Sequence, residues 1–175
     1  MASQSPVLAV VPDQAHINTM AGHVTELRAS YRRGTTRSLE WRLRQLDGFS
    51  NFIKDNEAQI LEALSRDLGK PALEAFVSEV HFLLTELKLL RKNLRGWMKP
   101  TPVKTPMSGQ PGKSMIHHDP LGVVLIVSPW NYPIQLALMP LFGAVAAGNC
   151  AVVKPSEVAP HCSKLMAEVL PRYVD

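Results

Sequence analysis

Cysteine is scarce in this chain: two in 175 residues, Cys150 and Cys162. A disulfide scaffold is excluded. No basic segment leading into an apolar core opens the sequence, so it does not read as secretory, and a reducing, cytoplasmic setting is expected. There is no P-loop, and no G-x-G-x-x-G follows Ser128. A bound dinucleotide would therefore need an unconventional pyrophosphate contact or residues beyond Asp175. Pro133–Val153 is 21 residues without a formal charge, but Pro140, Gly143, Gly148 and Asn149 interrupt it. A buried helix feeding a buried strand is the better reading than a membrane span. Six arginines against one glutamate lie between Arg28 and Arg44. They lack aromatic interleaving of the stacking type, so a solvated helix face is expected and no nucleic-acid partner. What remains is 46% hydrophobic and 19% charged, with a net charge of +4. That is the composition of a globular chain about one domain long, mildly suited to anions.

The first part of the chain reads as helical. Ile17, Met20, Val24, Leu27 and Tyr31 recur at helical spacing, with Gly34 as the stop. A second helix is expected from about Arg37 to Lys54, with Leu39, Leu43, Leu46, Phe49, Phe52 and Ile53 inward. Asp55 or Asn56 is expected to cap a third, with Gln59 completing a capping box. Gly69-Lys70-Pro71 breaks the chain. A single long helix then covers about Ala72 to Met98. Its stripe of Phe76, Val80, Leu83, Leu84, Leu87, Leu90, Leu94 and Trp97 reads as core. Lys99–Ser114 holds four prolines and is expected as a linker or extended edge segment.

The last part alternates. Leu121–Ser128 is a valine-rich apolar run of the kind buried on both faces. Pro129–Pro133 is a loop, Ile134–Ala147 a helix kinked or restarted at Pro140, Cys150–Lys154 a second strand, and Pro160–Tyr173 a second helix. The expected fold class is α/β: an N-terminal helical segment, then the start of a Rossmann-like parallel sheet. The expected boundaries are 1–15 for a flexible N-terminus, 16–98 for the helical region, 99–120 for the proline-rich linker or oligomerisation strand, and 121–175 for the first βαβα part of a nucleotide-binding domain. Two parallel strands are few for such a sheet, so the chain is expected to be the front portion of a larger protein.

Ligands of open α/β sheets bind beyond the carboxyl ends of the strands. Two loops lie there. Asn131 carries an amide suited to an oxyanion. Lys154 and Glu157 offer donors and acceptors suited to ribose hydroxyls, and the two loops are expected to face one crevice. Spacing alone leaves the plainer readings open: an asparagine that satisfies its own turn, and a surface ion pair. Cys150 in a strand and Cys162 on an apolar helix face read as small buried hydrophobes. His117, His118 and Asp119 do not make up a ligand set, so no metal is expected.

The run P-L-G-V-V-L-I-V-S-P-W-N-Y-P, followed by A-A-G-N-C-A-V-V-K-P-S-E, resembles the aldehyde dehydrogenase superfamily. Y-R-R-G-T-T-R-S-L-E-W-R-L-R-Q-L and D-L-G-K-P are similar to its class 3 branch. The resemblance covers about Gly22 to Asp175. It implies NAD or NADP as cofactor and oxidation of aldehydes to carboxylic acids. It implies that Asn131 is the oxyanion-hole asparagine. Val127, Ser128, Pro129 and Trp130 would line the cofactor's ribose and nicotinamide side, and Lys154, Ser156 and Glu157 its adenosine ribose. It also implies a homodimer, with membrane association only through a C-terminal tail. The family's nucleophilic cysteine and general-base glutamate would fall beyond Asp175, so these 175 residues alone are expected to be inactive. The alternative is a non-catalytic interaction or dimerisation module.

Overall fold

The computed structural model describes residues 14–175, with side chains from Thr19 onward. The flexible segment expected over residues 1–15 lies outside the described residues but for its last two, as does the side chain of Ile17. The first helix, α1, is Gln14–Arg32. The second, α2, is Leu39–Asp55, and it starts where Ser38 Oγ accepts the Trp41 N–H at 3.1 Å. A hydroxyl at that position satisfies one of the free donors of the first turn. Leu46, Phe49, Phe52 and Ile53 of the expected inner face are buried, Leu39 and Leu43 are half-buried, and Trp41, which the spacing did not single out, is buried too.

The third helix, α3, is Glu57–Leu68, and its expected capping box does not form. Asn56 turns its amide back, donating to the Phe52 carbonyl at 2.8 Å and to the Tyr173 hydroxyl at 3.2 Å. It thus serves the end of α2 and the far terminus of the described chain. Gly69 closes α3 in the left-handed conformation, φ +65°, which a residue without Cβ adopts freely. The single helix expected over 72–98 is interrupted. It runs as α4, Ala72–Ala75, a π-helical turn, Phe76–His81, and α5, Phe82–Trp97. The wider turn shifts the register of the inner face. There Glu79 is fully buried beside Val80 and Leu83.

The proline-rich stretch forms a two-stranded antiparallel ribbon. Strand β1, Thr101–Val103, pairs with β2, Ser114–Ile116, in the register Thr101↔Ile116. Between them a 3-10 turn spans Met107–Gly109, and Thr105 Oγ1 accepts the Ser114 N–H at 2.9 Å.

Strands β3, Val123–Val127, and β4, Cys150–Lys154, are parallel, with Val123 opposite Cys150 and Val127 opposite Lys154. Helix α6, Gln135–Ala146, links them and passes through Pro140 without a break. Pro140 lies on the exposed side, where a helix tolerates the lost bond. Helix α7, Pro160–Val169, follows β4 and tightens into a 3-10 turn at Leu170–Arg172.

Two expectations about burial need correction. Strand β3 is not covered on both faces: Ile126 is buried, but Leu125 and Val127 are 67% and 64% exposed. Side chains alternate along a strand, and only the face carrying Ile126 joins the core. Helix α1 contributes less to the core than its spacing implies. Its contacts are with β3 and β4, Met20 is exposed, and Val24, Leu27 and Tyr31 are half-buried.

The two halves share one apolar cluster. Phe49 of α2 and Phe142 of α6 meet with ring centroids 4.8 Å apart. The basic stretch is partly absorbed into this junction. Arg42 is buried and donates to the carbonyls of Thr36 at 3.0 Å and Ala146 at 3.1 Å.

Candidate functional site

The carboxyl ends of β3 and β4 lie side by side, with Val127 opposite Lys154. The ladder continues one step further, because the Ser128 N–H donates to the Lys154 carbonyl at 3.0 Å. The two loops that carry the candidate residues therefore leave one edge of one parallel pair.

The first loop is set by proline and a buried hydroxyl. Ser128 is buried, and its Oγ donates to the carbonyls of Pro129 at 3.3 Å and Pro133 at 3.4 Å, across the base of the loop. Pro129, Trp130, Asn131 and Tyr132 are exposed, whereas Pro133 is buried. Tyr132 has φ +51°, an uncommon conformation for a residue with a side chain. Among the described residues the Asn131 amide has no hydrogen-bond partner. It does not satisfy its own turn, which was the plainer alternative.

The second loop is short and polar. Lys154 pairs with Glu157, and both side chains are largely exposed. The hydrogen bond from Lys154, with its charge, holds the Glu157 carboxyl below the usual range. Ser156 is buried, and its Oγ accepts the Val158 N–H at 3.2 Å. Of the residues singled out in the two loops, Val127, Pro129, Trp130, Asn131, Lys154 and Glu157 are exposed at the shared edge, while Ser128 and Ser156 shape the loops from within.

Two carboxylates from the helical half reach the helices that follow these loops, and residue spacing did not single them out. Glu79 Oε2 accepts the N–H groups of Ile134 at 3.0 Å and Gln135 at 3.2 Å, at the start of α6. Asp67 accepts those of His161 at 3.1 Å and Cys162 at 2.8 Å, at the start of α7. Both supply acceptor charge where a helix leaves donors free. Lys70 joins the first group: its Nζ lies 2.5 Å from Glu79 Oε1 and 3.9 Å from the centroid of the Tyr132 ring. One signal for Glu79 was present. It sits three residues after Phe76 and four before Leu83, so a carboxylate occupies a stripe of core positions.

The cysteines lie elsewhere. Both are buried. Burial pushes the Cys150 thiol up from its usual range. Burial does the same for Cys162, further aided by the neighbouring Asp67 carboxylate. Neither has the low-pKa, accessible character of a nucleophilic thiol. Among the described residues no group of three His, Cys, Asp or Glu side chains is placed to hold a metal ion, and no helix is long and apolar enough to cross a membrane. A cavity of about 980 Å³ lies between α5, the ribbon and His117–Pro120, and another of about 330 Å³ lies between α2 and β4. Neither is lined by a residue of the two loops.

Comparison with known proteins agrees with this arrangement. Residues 12–173 match the sequence profile described as "Aldehyde dehydrogenase family". The chain is 50% identical over 150 residues to mouse "Aldehyde dehydrogenase family 3 member B1", covering 86% of this chain and 32% of that protein. It is 46% identical over 154 residues to an aldehyde dehydrogenase of Craterostigma plantagineum, covering 88% and 32%. Among solved structures, the substrate-bound state of Staphylococcus aureus AldH superposes with a TM-score of 0.87 at 39% identity, over 89% of this chain and 34% of the other. A succinic semialdehyde dehydrogenase of Streptococcus pyogenes in complex with NADP+ shares the fold, with a TM-score of 0.75 at 20% identity over 91% and 34%. The chain spans about a third of the length of these relatives. The likeness extends over most of the chain, and this chain belongs to the aldehyde dehydrogenase family.

Proposed function

We propose that this chain supplies one side of an aldehyde-oxidising site that works with NAD+ or NADP+. The observation that carries the reading is the Asn131 amide: exposed, without a partner among the described residues, and at the same strand edge as the Lys154–Glu157 pair. An unspent N–H₂ held at a strand end can donate to a carbonyl oxygen as negative charge builds there. The donation is stronger in the transition state than in the ground state, which is what lowers a barrier.

The second loop fits an adenosine ribose. A lysine has three donors and a carboxylate about four acceptor sites, so a pair that spends one of each on the other keeps enough for vicinal hydroxyls. The same ammonium suits a 2′-phosphate, so both cofactors are admitted. When bound, NAD(P)+ would supply the hydride acceptor. This chain's own residues bind and orient: Lys154 and Glu157 at the ribose, Trp130 and Val127 as exposed apolar surface beside it, and Asn131 at the oxyanion. The sequence has no cysteine other than the two buried ones, so the nucleophile would come from residues outside these 175. A second copy of the chain as partner belongs to the same proposal.

The test is kinetic. In a form of the protein extended to the length of its relatives, Asn131→Ala lowers kcat for aldehyde oxidation about a hundredfold or more, the scale for losing one oxyanion donor. An unchanged kcat with chemistry rate-limiting overturns the assignment.

A further inference from the structure

Glu79 is fully buried, and its two carboxylate oxygens serve two targets, the start of α6 and Lys70. One carboxylate oxygen takes the N–H groups of Ile134 and Gln135, and the other takes the Lys70 ammonium. Lys70 has only 12% of its side chain exposed and lies against the face of the Tyr132 ring. Tyr132 follows Asn131 directly and holds φ +51°. A residue with a side chain holds that conformation only where its surroundings fix it. The surroundings of Tyr132 include the Lys70 cation on its ring, the Leu136 N–H that donates to its carbonyl at 2.9 Å, and the Glu79 carboxylate bonded to the N–H groups of Ile134 and Gln135.

We propose that Glu79 and Lys70 form a positioning pair for the Ser128–Pro133 loop, holding the Asn131 amide in one orientation. Neither residue bonds to Asn131, so neither is a catalytic residue. The pair acts through Tyr132 and the first turn of α6. A buried ion pair is weak evidence for stability, because desolvation offsets attraction, but it is well suited to selecting one geometry. The π-helical turn places Glu79 on the inner face, and the left-handed Gly69 ends α3 immediately before Lys70. Both backbone irregularities of this region thus bring the pair together.

This inference relies on the proposed role of Asn131 only for its catalytic consequence, and its test does not use activity. In the isotopically labelled 175-residue chain, native-state amide exchange is read at Ile134 and Gln135, and the Asn131 side-chain N–H₂ resonances are followed. Glu79→Gln should raise exchange at those two amides about tenfold or more, the scale of a lost charge-assisted bond. Amides in the middle of α2 should keep their protection. Lys70→Met leaves in place the one acceptor of both N–H groups, Glu79 Oε2. It should shift or split the Asn131 N–H₂ pair and the Tyr132 ring resonances, while exchange at Ile134 changes little. A merely structural role would lower protection everywhere together and leave the Asn131 resonances of the folded chain where they were. If Glu79→Gln does not fold, Lys70→Met alone decides: unmoved Asn131 and Tyr132 resonances overturn the proposal. A failed Asn131→Ala kinetic test would remove the oxyanion role and leave these loop readouts standing.

Discussion

The Asp67 carboxylate accepts the main-chain N–H of Cys162, 95 residues further along the chain, at 2.8 Å. With the neighbouring bond from His161 it fixes the start of α7 to the end of α3. Asp67→Ala should therefore lower stability by about 2 kcal/mol, because two donors at a helix start lose a charged acceptor. Chemical denaturation followed by circular dichroism measures it. A loss below about 0.5 kcal/mol would mean that water replaces the carboxylate without cost.

Gly148 sits against Arg42. It has φ +92°, and a Cβ there would lie 2.4 Å from Arg42 Nη2. Arg42 cannot withdraw without giving up its bonds to Thr36 and Ala146. Gly148→Ala should cost about 2–4 kcal/mol, combining backbone strain with a displaced buried cation. A thermal melt of the variant beside the parent checks it, and an unchanged midpoint would show that the junction yields.

Asp175 links the pH dependence of stability to α2. Its carboxyl is held below the usual range by the hydrogen bond from Arg44, aided by the Trp41 and Gln45 donors and opposed by partial burial. A carboxylate depressed in the folded chain adds stability above its unfolded pKa of about 3.9 and loses it as pH falls through the folded value. The parent should therefore lose stability below about pH 4 more steeply than Asp175→Asn, with parallel profiles above. Because the pair is mostly exposed, the difference is small and should shrink further in high salt. Denaturant midpoints taken across that range would show it, with Trp41 fluorescence as a local reporter, since its indole N–H donates to Asp175 at 3.0 Å.

Thiol titration tests the reading of the cysteines. Both thiols are buried and pushed up, so a disulfide reagent at mildly alkaline pH should modify the native chain on the order of a hundredfold more slowly than an exposed thiol. In denaturant both should react at once. Rapid native modification of Cys150 or Cys162 would show an accessible thiolate and reopen the search for a nucleophile within these residues.

Local pattern made the order of elements legible. Valine-rich runs, a proline-flanked loop and helical spacing placed β3, α6, β4 and α7, and parallel pairing followed from the long connection between the strands. That order also brought Asn131 and the Lys154–Glu157 pair to one edge, because loops after parallel strands share an end of the sheet. Contacts whose partners are far apart in the chain were illegible. Glu79 meets Ile134 across 55 residues, and Asp67 meets His161 across 94. No short spacing encodes such a bond. Asn56 and Gln59 show the opposite failure: the local pattern for a capping box was present, but the Phe52 carbonyl four residues back and the distant Tyr173 hydroxyl took the amide. The exposed face of Leu125 and Val127 was misjudged because composition reports how apolar a strand is, not which of its faces these residues cover.

The bonding of Asp67 and Glu79, with Lys70, at the starts of the helices that follow the two loops bears on protein engineering. A chimera that transplants the strand–helix half of one relative onto the helices of another must carry these three side chains across the junction. Without them the grafted loops would keep their sequence and lose their setting.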